Sequence, residues 1–166
     1  TAHVKNTITF LKNVNSTKDF YIRYHSDSNI NKLYPKEQIS QELPNIKPDN
    51  IPSFYRSLES SNFFISDHMG TSFFEAMQYN IPIILFIDKP SYLFREKFDN
   101  FIKEFVKAKI LFFSPKEAAI HFNSLDKNFL VWWNKNEIQN LRKEFIENYA
   151  LTSKNWISNW SKTFLS

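Results

Sequence analysis

The chain has 166 residues and a net charge of +4, with 42% hydrophobic and 17% aromatic residues, enough for one domain with a full core and too much for a disordered chain. It has no cysteine, which excludes disulfides, thiolate metal sites and thiol nucleophiles. No apolar run approaches the roughly 18 residues that span a bilayer, and the basic residues are scattered rather than blocked, so nucleic acid is not an expected partner.

The opening "TAHVKNTITF" has no apolar leader core and no initiating Met. A cytoplasmic location is therefore the default, and the chain reads as a piece of a longer protein. Val4, Ile8 and Leu11 share one helical face. "DFYIRYH" (Asp19 to His25) reads as a strand. A helix with no strand before it predicts a first strand upstream of Thr1. Residues 26–51 carry Pro35, Pro44 and Pro48 and read as a loop with at most a short helix. Pro52 opens a helix with Phe54 and Leu58 inward and Tyr55 as a further candidate for that face. "NFFIS" (Asn62 to Ser66) is a short buried strand, "GTSFFEAMQYN" a helix, and "IPIILFID" a second buried strand with Pro82 at its first position.

"SYLFREKFDNFIKEFVKA" reads as a helix, with Leu93, Phe94, Phe98, Phe101, Phe105 and Val106 at helical spacing. "KILFFS" is a further strand. Ser114, Pro115 and Glu117 form the strongest helix start in the chain: a cap, a proline at the first position and a capping-box acid. From about Asn128 the chain is helical and Trp-rich. Short apolar strands alternating with helices predict an α/β fold. The expected form is a Rossmann-like parallel sheet of about four to five strands, with helices on both faces and a helical C-terminal extension. It makes one domain over residues 1–166, and ligands of such sheets bind at the carboxyl ends of the strands.

Gly70 is the only glycine, where average composition would give about a dozen. It lies between a buried strand and a helix start, where orphan amides and the helix dipole favour a phosphate. Glycine there permits a positive φ and close approach of a ligand to the backbone. Thr71 and Ser72 add hydroxyls, and Glu75 lies one turn into the helix. The plainer reading is that Gly70 only makes the turn and Thr71 or Ser72 only caps the helix. The pattern is neither a P-loop nor the dinucleotide G-x-G-x-x-G.

Asp67 and His68 sit at the same carboxyl edge, in reach of a phosphate or a sugar oxygen. His25 and Arg23 occupy another carboxyl edge, where Arg23 could pair with a phosphate. Arg95 and Lys97 follow the next strand as further pyrophosphate contacts. His121 reads as packed on its helix. Trp132, Trp133, Trp156 and Trp160 read as core or interdomain packing rather than sugar platforms. No residues have metal-ligand spacing, and no G-x-S-x-G elbow is present.

The segment with Gly70, "FEAM" (Phe74 to Met77), Asn80, Ile81, Pro82, Ile83 and Ile84 resembles the nucleotide-binding half of GT-B glycosyltransferases. In retaining members a Glu-x7-Glu pattern occurs, whose second Glu holds the nucleotide ribose. Glu75 matches that second position, Asp67, a shorter acid, stands at the first, and Gly70 matches the glycine three residues after it. Arg95, "KILFFSPKEAAIHFNSL", Trp132–Trp133, Trp156 and Trp160 are similar to a narrower group, the LIC12162-type surface-carbohydrate transferases. This resemblance runs from about Phe20 to the end.

The resemblance implies the C-terminal, donor-nucleotide domain of a two-domain enzyme of surface polysaccharide biosynthesis. Gly70, Thr71 and Ser72 would hold the phosphates and Glu75 the ribose. The nucleotide-sugar is then a substrate, and no cofactor is expected. The acceptor and any general base would belong to a missing N-terminal domain, so this part alone would not be active. Peripheral membrane association of the full-length protein is compatible with that role. The rival expectations are a glycerol-phosphate-type transferase domain and a non-catalytic Rossmann-like module.

Overall fold

A computed structural model of the chain describes residues 2–24, 36–89, 92–126, 128–150 and 161. His25, Trp156 and Trp160 lie outside the described residues. Helix α1 (Ala2–Asn13) buries Val4, Ile8, Phe10 and Leu11, the predicted face with Phe10 added. Its C-terminus is closed by Asn123, whose Nδ2 donates to the Asn13 carbonyl at 2.8 Å and whose Oδ1 accepts from the Asn15 amide at 2.9 Å. This satisfies groups that a helix end leaves orphaned.

Strand β1 (Tyr21–Ile22) pairs in parallel with β2 (Lys47–Pro48), Tyr21 opposite Lys47 and Ile22 opposite Pro48. β2 lies in the segment expected to be loop. It carries no strand pattern, and its conformation comes from its partner: the Asp49 amide donates to the Ile22 carbonyl at 2.8 Å. The expected short helix there is α2 (Lys36–Glu42), which buries Ile39. Helix α3 (Phe54–Glu59) leads to the second sheet, with order β3-β4-β5: β3 (Phe64–Ser66), β4 (Ile83–Phe86) and β5 (Leu111–Phe112), all parallel. The described strands thus form two parallel sheets of two and three strands rather than one. All four residues of β4 are buried. Successive strand residues face opposite sides, so both faces of the sheet are covered.

Helices α4 (Thr71–Gln78), α5 (Glu96–Lys107), α6 (Pro115–Ser124), α7 (Phe129–Trp133) and α8 (Asn136–Tyr149) complete the described fold. One aromatic layer joins α4, α5 and α8: Phe145 lies 5.8 Å from Phe73 and 5.0 Å from Phe105. Another joins α1, α6 and β4: Phe10 stacks on Phe86 at 5.1 Å and meets Phe122 at 6.2 Å. The Ser114 cap forms as the sequence implies, with its hydroxyl accepting from the Glu117 amide at 3.3 Å. Helix α5 starts five residues later than its periodicity suggests, with Arg95 as N-cap. Tyr92 and Phe94 precede it and stack on one another at 5.6 Å, and Leu93 between them is fully exposed.

The left-handed backbone positions are not where glycine is. They fall on Asn80 (φ 58°), Lys109 (φ 61°) and Asp126 (φ 43°), each one residue past a helix C-cap. After α4, the Asn80 amide donates to Met77 O at 3.2 Å and the Ile81 amide to Ala76 O at 3.1 Å. After α5, the Lys109 amide donates to Val106 O at 3.1 Å and the Ile110 amide to Phe105 O at 2.9 Å. Both are Schellman closures, which normally use glycine. Asn80 is held there by Trp133 Nε1, at 2.8 Å from its Oδ1, and by Gln139 Nε2 at 3.1 Å. Arg142 Nη1 donates to Met77 O at 2.9 Å, a cation at a helix C-terminus. Trp132 and Trp133 are buried, as their packing role requires.

His121 lies between Phe112 and Trp132, at ring distances of 5.5 and 5.3 Å. Its Nε2 is buried with no hydrogen-bond partner among the described residues. Burial, then the charges of Lys109 and Lys135, push its pKa down to about 4.

Two expectations follow. Lys109→Gly relieves a left-handed residue with no side-chain anchor comparable to that of Asn80. It should stabilise the protein by about 0.5–1 kcal/mol, a Tm rise of about 1–4 °C by calorimetry. For His121 the folded pKa lies below the ordinary 6.5, so between these values the unfolded chain binds the proton that the folded chain refuses. Stability should fall as pH drops from about 6.5 towards 4, and urea melts of His121→Phe should show a shallower slope in that window.

Candidate functional site

β3 ends at Ser66 and α4 begins at Thr71, so Asp67, His68, Met69 and Gly70 turn the chain at the carboxyl edge of the sheet. Short-range and long-range bonds hold this turn. Ser66 Oγ donates to His68 O at 2.7 Å. The Met69 amide donates to Tyr92 Oη at 3.1 Å, tying the turn to the segment after β4. Thr7 Oγ1, on α1, donates to Asp67 Oδ2 at 3.0 Å, and His68 Nδ1 lies 3.0 Å from Asp67 Oδ1. An ionised carboxylate only accepts, so Nδ1 carries the proton and Nε2 is the free end of the ring.

Asp67 is 22% exposed and His68 42%. Burial works to raise the Asp67 pKa, but the His68 hydrogen bond and charge, the Thr7 hydroxyl and His3 outweigh it and hold the carboxyl below its ordinary range. The hydrogen bond to Asp67 lifts His68 above the ordinary imidazole value, against the effect of burial. Both shifts favour a carboxylate paired with an imidazolium.

Gly70 has φ −116° and ψ −170°, extended backbone open to any residue. The positive φ that glycine permits is not used here. A Cβ built on Gly70 would lie 2.7 Å from His68 Nε2 and 2.8 Å from His68 Cδ2. The imidazole occupies the space where a side chain would begin, so any other residue would have to displace the ring.

Gly70 is the N-cap of α4, and its carbonyl accepts from the Phe73 amide at 3.0 Å. The amides of Thr71 and Ser72 belong to the orphan donors of a helix start, and the first turn of α4 carries no acidic residue. Thr71 is exposed, Ser72 and Glu75 are half-buried. Thr71 and Glu75 are four residues apart, neighbours on one face with about 6 Å of helix rise between them. One strand–turn–helix unit thus brings together Asp67, His68, Gly70, Thr71, Ser72 and Glu75. Arg95 is exposed at the start of α5, on the segment that leaves the same sheet edge after β4.

Arg23 is placed differently. Its Nη1 donates to Asp49 at 2.7 Å and to Ile51 O at 2.8 Å, its Nη2 to Pro52 O at 3.1 Å, and its guanidinium lies over the Phe54 ring at 5.7 Å. The fork is committed to joining the β1–β2 sheet to α3. Thr7 and Tyr92 enter the site only through the fold. Neither has a local sequence signal, because their partners lie 60 and 23 residues away.

The described residues form a mixed α/β fold whose parallel sheet delivers a helix N-terminus to its carboxyl edge, the place where sheets of this kind bind ligands. The sequence profile of the LIC12162 family transferases matches residues 1–164, and the chain belongs to that family. It is accordingly a transferase. No curated protein and no solved structure matches the chain.

Gly70→Ala separates the two accounts of the glycine. The imidazole is the far end of a flexible side chain and can swing away. Global stability should therefore change by less than about 1 kcal/mol, while the Asp67–His68 bond is lost and the His68 pKa falls back towards 6.5, read by NMR titration. A loss of several kcal/mol would show that the backbone itself rejects a side chain.

Proposed function

We propose that the chain is the donor-nucleotide half of a GT-B-type glycosyltransferase, Rossmann-like in plan, that transfers a sugar from a nucleotide donor during surface polysaccharide synthesis in the cytoplasm. The observation that carries this reading is the α4 N-terminus at the carboxyl edge of β3, with His68 before it and Glu75 one turn along. Membership of a transferase family agrees with it. In this reading the Thr71 and Ser72 amides and hydroxyls, together with Gly70 and His68, receive the diphosphate. Glu75 accepts from the ribose hydroxyls, and Arg95 approaches the phosphates from the next helix start. Fixed donors at the departing phosphate stabilise charge as the sugar–oxygen bond breaks. Arg23 serves the scaffold rather than the ligand, since its fork is already filled.

The strand order supports the same plan. β2-β1 and β3-β4-β5 are both parallel, and one strand between β1 and β3 would merge them into a single sheet. Phe20, just before β1, and Phe63, just before β3, each lie 5.3 Å from Phe122, so both strands start from one aromatic cluster. A strand placed between β1 and β3, followed by α1 and then β1, would make a crossover of the usual right hand.

A thermal-shift panel of UDP, GDP, CDP, CMP and TDP species tests the reading. A nucleotide at about ten times its Kd adds about 1.4 kcal/mol, a Tm rise of about 3–6 °C, and Glu75→Ala should abolish most of it. No shift with any nucleotide at millimolar concentration, in the full-length protein, overturns the proposal.

A further inference from the structure

The donor-site reading leaves two features without a role: a threonine on α1 that reaches across the fold to Asp67, and an Asp where the resembling pattern has the longer Glu. We infer that Thr7 and Asp67 are positioning residues that hold the His68 imidazole against the α4 N-terminus, with Nε2 beside Gly70 as a donor to a phosphate oxygen. This rests on the donor-site reading.

The geometry uses both oxygens of Asp67. Oδ2 takes the Thr7 hydroxyl at 3.0 Å and Oδ1 takes His68 Nδ1 at 3.0 Å. With one bond on each oxygen, the carboxylate cannot rotate without breaking both, and the ring it holds cannot flip without losing a charge-assisted bond. A Glu at this position would carry its carboxylate one methylene further from the Nδ1 of the adjacent residue. The short acid suits a partner that is next in sequence. The ring then lies over Gly70, with Nε2 and Cδ2 in the space a Cβ on Gly70 would occupy. Nε2 is therefore placed at Gly70, the N-cap of α4, one residue before Thr71.

The charges around His68 give the arrangement its sense. Asp67 is its acid partner. His3 on α1 stands edge-on at a ring distance of 6.5 Å. Tyr92, on the segment after β4, holds the Met69 amide next to it. An imidazolium beside a helix N-terminus is opposed by the dipole, so Asp67 must sustain it. A phosphate placed between Nε2 and the first amides of α4 satisfies the imidazolium and the helix dipole at once. The raised pKa of His68 agrees with this. Binding of a phosphate should therefore be strong below that pKa and weaken as pH rises through it.

The test is a long-range ¹H–¹⁵N NMR titration of the histidine rings, paired with inorganic pyrophosphate binding by calorimetry across the same pH range. In the parent protein His68 should titrate above 6.5 and hold its proton on Nδ1 once neutral. Asp67→Asn should lower that pKa and flatten the pH dependence of pyrophosphate binding. Thr7→Val should move both in the same direction, and Thr7→Ser should restore them, with dispersed spectra confirming that each variant folds. A His68 that titrates at or below its ordinary value, or is neutral with its proton on Nε2, overturns the inference. So does pyrophosphate binding indifferent to both substitutions. Absence of pyrophosphate binding at every pH, with the titrations as expected, leaves the Thr7–Asp67–His68 arrangement standing and overturns the donor-site reading instead.

Discussion

Two adjacent indoles on one short helix close the ends of the two helices that flank the three-stranded sheet. Trp132 Nε1 donates to the Ala108 carbonyl at the end of α5 at 3.3 Å, and Trp133 Nε1 to Asn80 at the end of α4. A helix end left without such partners exposes carbonyls that must be satisfied elsewhere. Here the same two bonds also return the chain into β4 and β5, because Ile81 and Ile110 follow the closures directly. Arg142 and Gln139 of α8 reinforce the α4 end. The C-terminal helices therefore fix the axis of α4. Its opposite end is the candidate site, so a clamp at one terminus positions amides at the other.

The two described histidines with shifted pKa values, His68 and His121, show how one ring type serves opposite ends. His121 is packed between Phe112 and Trp132 near two lysines and is kept neutral. His68 has a carboxylate held on its Nδ1 and is kept charged. With pH the two pull against each other. The His68 contribution is complete below the ordinary imidazole pKa and fades as pH rises through its raised value. The His121 contribution is complete above the ordinary value and fades as pH falls towards 4. The first belongs to the candidate site and the second to the core, so site and scaffold titrate in different windows.

Much of the helical structure was legible because its causes are local. The Ser114–Pro115–Glu117 start of α6 and the Val4, Ile8 and Leu11 face of α1 follow from capping and periodicity, and both are present. β4 was legible as an apolar run, since a strand covered on both faces needs no polar side. The start of α5 was not, because Tyr92 is drawn away to the Met69 amide, a bond across 23 residues. β2 was not, because Lys47 and Pro48 become a strand only by pairing with β1. In the candidate site, Gly70, Thr71, Ser72 and Glu75 could be picked from a strand–helix junction, but Thr7 and Tyr92 could not.

The sequence by itself determined that strands and helices alternate, that a lone glycine marks the turn between β3 and α4, and that a helix start faces the carboxyl edge there. Only the tertiary structure decided why the residue is glycine. Its backbone is extended, and the positive φ values fall on Asn80, Lys109 and Asp126 instead. The reason is that φ answers to local sterics, whereas the space above Gly70 is filled by a ring whose position depends on Asp67, and that of Asp67 on a hydroxyl from α1. No pattern within the turn could carry that information, because it is written in the packing of α1 against the sheet edge.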